Sequence, residues 1–211
     1  MKYDELLRIT SDQPVFETGL LLAGDRDSRD VRRQLSRWAA DGKILQLKRG
    51  LYTLAVPYQK VASHPFLIAN HLVIGSYVSL HSALAYYGMI PEFVPITLSM
   101  TTRSPASWET PLGSFRFHHI GVERFNGYNV VEVFSGQQVY LASPEKALLD
   151  LVHLTPGGDA PEYLLELRLQ NLEQIDEEGL CRLAAGLPKL ERAAEEIGRL
   201  KRAEAAAYRP L

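Results

Sequence analysis

The chain has 211 residues, 46% of them hydrophobic, with 23 Lys/Arg against 25 Asp/Glu and a formal net charge of −2. This is a globular composition, long enough for one large or two small domains, and its charge balance excludes a basic nucleic-acid coat protein. A single cysteine, Cys181, excludes an intrachain disulfide framework and fits a reduced, cytoplasmic setting.

The opening, MKYDELLRITSDQ, has no apolar h-region and predicts no signal peptide, and no apolar run is long enough to cross a bilayer. Lys2 to Thr10 predicts a first helix with Tyr3, Leu6 and Leu7 facing inward. Pro14 to Phe16 leads into a second helix around Glu17 to Leu22, and Gly24 to Asp27 predicts a turn.

The segment Asp27 to Leu54, DSRDVRRQLSRWAADGKILQLKRGLYTL, is the most directive part of the chain. Asp27 or Ser28 suits an N-cap, and Asp30 places negative charge where the helix dipole favours it. Val31, Leu35, Trp38 and Ala39 recur at helical spacing as one apolar stripe, and Gly42 is a natural stop. Arg29, Arg32, Arg33, Ser36 and Arg37 lie off that stripe. Two strand-like runs follow, Ile44 to Leu47 and Leu51 to Leu54, joined by Lys48, Arg49 and Gly50. A helix, a turn, a basic helix and a basic-tipped hairpin form the order of a winged helix-turn-helix, which docks a helix in the DNA major groove.

Residues 26–50 carry eight Lys/Arg and three Asp/Glu, so positive charge concentrates at this segment. The helix beginning at Ser28 is the expected reader. Arg29, Arg32 and Arg33 are candidates for base edges because recognition helices read with their N-terminal half. Arg37, Lys48 and Arg49 are candidates for phosphates, which position the protein without reading sequence. Two alternatives stand beside this reading: a solvated charged face, and a winged helix that docks a partner protein instead of DNA.

Val56 to Ser63 is a plausible boundary, giving an N-terminal domain over 1–57 and a C-terminal domain over 58–211. His64 to Ile74 predicts a buried helix. Ser76 to Gly88 predicts another, with Leu80, Leu84 and Tyr87 on one face. Strands are expected at Pro95 to Thr102, Gly113 to Ile120, Tyr128 to Phe134 and Gln138 to Leu141, with Ser135-Gly136 as a turn. Ser143-Pro144-Glu145 predicts a capped helix start running to about His153. Three further helices are expected near 161–170, 176–185 and 189–204. The last places Leu190, Ala194, Ile197 and Leu200 on one face, a candidate dimerisation stripe, and the tail AAAYRPL is expected to fray. The expected fold class is α+β: a winged helix-turn-helix, then a mixed α/β domain with a helical C-terminal portion.

Catalytic constellations are weak. His118 and His119 point to opposite faces of a strand and cannot easily share a metal, and no Cys pair accompanies the other histidines. Ser143, Glu145 and Lys146 read better as a helix start than as catalytic groups. Gly75-Ser76 is not followed by a carboxylate pair at useful distance, and no phosphate loop or dinucleotide fingerprint is present. No enzyme activity, metal or cofactor is expected.

The combination of LKRGLYTL with YVSLHSALAYYGMIPE, ITLSMTTR and above all VYLASPEKALLDL resembles the AbiEi family of antitoxin-type transcriptional regulators, from bacterial type IV toxin–antitoxin systems. The resemblance covers nearly the whole chain. It implies a head that binds double-stranded operator DNA and represses its own operon. Regulators often bind inverted repeats as pairs, which makes a homodimer on DNA an expected form. It also implies a C-terminal domain that counteracts a nucleotidyltransferase-like toxin without a stable complex. By position, Arg29, Arg32, Arg33, Arg37, Lys48 and Arg49 match the family's basic DNA-facing surface.

Overall fold

Buried apolar residues sort into two clusters that part near residue 55. The computed structural model describes residues 1–22 and 27–207; most of the expected turn Gly24 to Asp27, and residues 208–211 of the tail, lie outside the described residues. The chain is α+β, with helices and two sheets.

The smaller cluster gathers Leu6 from α1 (Tyr3–Thr10), Phe16 from β1 (Phe16–Glu17) and Leu21 from α2 (Thr18–Leu21). Val31, Leu35 and Trp38 join it from α3 (Ser28–Ala40), Ile44 from β2 (Ile44–Lys48), and Tyr52 and Leu54 from β3 (Leu51–Leu54). Helix α3 has the expected bounds. The Asp27 carboxylate accepts from the Arg29 N–H at its start, and beyond its end Gly42 adopts φ +68°, which costs a residue without Cβ little.

The strands order as β1-β3-β2, all antiparallel. Strand β1 differs from expectation. Phe16, from the expected lead-in, and Glu17, the expected first residue of the second helix, pair with Tyr52 and Leu51, so that α2 is only four residues long. Two residues are too few to show a period of two; stacking of Phe16 on Tyr52, with ring centroids 5.8 Å apart, and the backbone pairing decide their state.

The larger cluster surrounds a six-stranded mixed sheet in the order β6-β7-β5-β4-β9-β8. Its strands are β4 (Ser76–Val78), β5 (Ile96–Thr101), β6 (Ala106–Thr110), β7 (Gly113–His119), β8 (Tyr128–Glu132) and β9 (Gln138–Ala142). Two departures matter. Ser76 to Val78 belongs to a central strand between β5 and β9, not to a helix, and the helix α5 (Leu80–Tyr86) begins at Leu80, where the chain turns at φ +56°. All three β4 residues are buried, so the alternation that announces a half-exposed strand is missing. Strand β6, an edge strand between prolines 105 and 111, was not expected.

Helices α4 (Pro65–Leu72), α6 (Pro144–Leu154), α7 (Pro161–Glu166), α8 (Glu177–Ala184) and α9 (Pro188–Ala207) complete the body. On α9, Leu190, Ala194 and Ile197 are buried and Leu200 packs against the same core. The stripe expected to be available for dimerisation is therefore consumed within the chain.

The two clusters are joined. Val15, Leu47 and Leu51 from the N-terminal sheet region pack into the larger core. Gln137 holds the connecting segment through both ends of its amide: Oε1 accepts from the His64 N–H and Nε2 donates to the Ala62 carbonyl, each at 2.9 Å.

Candidate nucleic-acid interface

Helix α3 is amphipathic, and its burial fixes which face is presented. Val31, Leu35 and Trp38 are turned inward, with Trp38 meeting the Tyr3 ring edge-on at 5.4 Å. At 100° per residue, Arg29, Arg33, Ser36 and Ala40 then lie at the centre of the opposite face, Arg32 on one flank and Asp30 and Arg37 on the other. All seven are exposed, whereas Ser28 is half-buried at the first turn.

These arginines differ in what they touch. Arg33 pairs with Asp30 at 2.8 Å, one turn back on the same helix. Among the described residues, Arg29, Arg32 and Arg37 have no carboxylate within salt-bridge distance, although the Arg29 backbone N–H is committed to Asp27. Among the described residues, the helix thus presents three guanidinium groups without a carboxylate partner and one that is weakly held, since an exposed ion pair contributes little.

The hairpin tip separates its two cations. Arg49 is exposed beside Gly50, which takes φ +88°. Lys48 turns the other way: its ammonium donates to the carbonyls of His71 and Leu72, each at 2.7 Å. Those carbonyls are at the C-terminal end of α4, where helix carbonyls lack partners and the dipole favours a cation. Burial lowers the Lys48 pKa, with Glu17 opposing and Arg103 adding to the fall. This sets Lys48 apart from the other expected phosphate contacts, because its ammonium ties the hairpin to the body. A bulge between Gln46 and Lys48 accompanies this reorientation.

The same contact brings forward a cation that sequence reasoning passed over. Arg103, exposed in the turn after β5, is near enough to depress Lys48, and its backbone N–H donates to the Thr101 hydroxyl. It is legible in the sequence only as the last residue of ITLSMTTR, with nothing to place it beside the hairpin.

The residues weighed for catalysis make the following contacts. The Ser143 hydroxyl accepts from the Lys146 N–H at the start of α6. The buried Glu145 carboxylate accepts from the Asp176 N–H, at the start of α8. Lys146 is more than a first-turn residue: it is 2% exposed and lies 2.7 Å from fully buried Asp150. Its ammonium also donates to the Arg124 carbonyl, while the hydroxyls of Tyr77 and Ser79 donate to Asp150. This buried ionic centre ties β4 to α6, and neither end was singled out in the sequence for that purpose. Among the described residues, no group of three or more His, Cys, Asp or Glu is placed to hold a metal ion, and no helix is long and apolar enough to cross a membrane.

The fold has a solved counterpart. The chain is similar to the crystal structure of the Rv2827c protein from Mycobacterium tuberculosis, with a TM-score of 0.55 and 16% sequence identity over 99% of this chain and 82% of that one. At that identity the likeness concerns the fold alone. No family model matches the chain, and no curated protein matches it.

Proposed function

We propose that residues 1–57 form a winged helix-turn-helix head that binds double-stranded operator DNA, followed by a regulatory domain over 58–211. The observation that carries this reading is the outer face of α3, where Arg29, Arg32 and Arg37 stand exposed and, among the described residues, without carboxylate partners. Arginine forks can grip phosphates or pair bidentately with guanine, and a helix of 13 residues is long enough to follow a major groove. Ser28 and Arg33 belong to the same surface, Arg33 after exchanging Asp30 for the nucleic acid, and Arg49 supplies the wing contact. Lys48 is left out of this set.

The biological role that best fits is a transcriptional repressor of the AbiEi antitoxin type, counteracting a nucleotidyltransferase-like toxin without a stable complex. The sequence resemblance of VYLASPEKALLDL and its companion motifs supports that role.

A gel-shift titration of the purified chain tests the DNA reading, using DNA from upstream of its own gene and a scrambled duplex at two salt concentrations. Selective binding that weakens with salt is expected, because neutralising phosphates releases counterions. Equal, weak binding to both duplexes would overturn it. The second reading is a winged helix that docks a protein. Its support is the anchoring of the hairpin on α4 through Lys48, which leaves a single cation at the wing tip.

A further inference from the structure

The body contains a pocket that neither the DNA reading nor the fold requires. It opens between the turn at residues 122–127, the first turn of α6 and the end of α8, and has a volume of about 590 Å³. Arg124, Lys146, Arg182, Glu123, Asn126 and Leu183 line it, and residues 185–187 close one side. The size is that of a small-molecule site.

Its chemistry is cationic and incompletely satisfied. Lys146 is almost wholly buried, and among the described residues Asp150 supplies the one carboxylate it meets. Arg124 and Arg182 have no carboxylate within salt-bridge distance among the described residues. The Nε of Arg124 is cut off from solvent and has no hydrogen-bond acceptor, an arrangement that disfavours the empty site. Burial lowers the pKa of Lys146 and His153, and the positive charge of Arg124 adds to both falls against the opposing charge of Asp150. Glu123 does not offset this. Its carboxylate folds back over Gly121, where an added Cβ would collide with it, and makes no ion pair with either arginine. The pocket wall is fixed: Gly127 lies against Lys146 and Leu183 so closely that a Cβ there would sit 3.1 Å from both side chains.

We propose that this pocket binds the phosphate group of a small phosphorylated molecule. A phosphate offers several acceptor oxygens in the geometry that a guanidinium fork matches. A small swing of Arg124 toward the pocket would place its Nε on one oxygen and a terminal nitrogen on another, giving the orphaned donor its partner. Arg182, projecting from α8, would approach from the opposite side. Lys146 would contribute fixed positive charge at the floor without leaving Asp150. The site lies wholly in the body, and its test does not depend on DNA binding by the head.

The experiment is calorimetric titration of the full chain with inorganic phosphate, then with ribose 5-phosphate, at constant ionic strength against chloride. Saturable binding with a dissociation constant of about a millimolar or tighter is expected for both. Arg182→Ala, at an exposed position, should weaken binding by about tenfold, the loss of one charge-assisted hydrogen bond. Arg124→Gln should do the same or more, while Arg199→Ala on α9, outside the pocket, should leave affinity unchanged. No saturable binding by the unmodified protein would overturn the proposal, as would unchanged affinity in Arg182→Ala. Because Arg182 is exposed, its variant decides the matter even if Arg124→Gln fails to fold.

Discussion

The Lys48 ammonium lies 2.7 Å from the Leu72 carbonyl, joining the hairpin of the N-terminal sheet to the end of a helix in the body. A side chain that sequence alone assigns to DNA is thereby placed on the protein's own backbone. Lys48→Met should cost about 1–3 kcal/mol in urea unfolding, since it leaves the His71 and Leu72 carbonyls without this donor. It should change the salt dependence of DNA binding little, whereas Arg49→Ala should reduce the slope by about one counterion. If Lys48→Met lowers the slope as much as Arg49→Ala, the anchor assignment is wrong.

Asp30 restrains Arg33 on the presented face of α3, with the pair more than half exposed at both ends. Exposed pairs of this kind contribute at most about 1 kcal/mol, so Asp30→Asn should have little effect on folding. It should tighten DNA binding severalfold, because it frees a guanidinium and removes an acid facing the phosphates. Weaker binding by Asp30→Asn would show that the carboxylate orients Arg33 productively.

What was legible in the sequence follows from where periodicity is strong. Helix α3 is bounded correctly because its burial repeats every three to four residues and Asp27 and Gly42 mark its ends. Phe115 and Phe117 share a buried face of β7, as their alternation requires. The central strand β4 was hidden because burial on both faces removes alternation, and the buried SYV run continues smoothly into helical LHSALAY. The interface was half legible. Composition locates the cations on α3, but only three-dimensional proximity shows that Lys48 meets α4 and that Arg103 lies nearby. Lys146 and Asp150 are separated by one helical turn, a spacing equally common on solvated faces; their burial is a property of the packed sheet.

That buried pair gives a third prediction. Lys146→Met would leave the Asp150 carboxylate without its cation in a fully buried position, a change that costs about 3–5 kcal/mol. The double variant Lys146→Met, Asp150→Asn removes both charges and keeps an acceptor for the Tyr77 and Ser79 hydroxyls. It should recover more than half of the loss in chemical denaturation. A double variant no more stable than Lys146→Met would mean that packing around the lysine stem, and not charge balance, sets the cost.

His64 contributes to the pH dependence beside His81, His118 and His153, whose pKa values burial also lowers. Its Nδ1 accepts from the Phe66 N–H at 3.1 Å, capping the start of α4, and this requires a neutral ring with its proton on Nε2. Burial lowers its pKa below the ordinary 6.5, among the Phe66 and Phe134 rings. The folded state therefore binds the proton less readily than the unfolded chain. The stabilisation is fully present above pH 6.5 and is lost as pH falls through the lower folded value, where the imidazolium can no longer accept. The cap itself is worth about 1 kcal/mol. His64→Asn retains an accepting oxygen at the cap and does not titrate, so its stability should fall less steeply below pH 6.5 than that of the unmodified protein, with His81, His118 and His153 losing stability there in both. Parallel stability profiles for the two proteins across that range would place the acid sensitivity on another group.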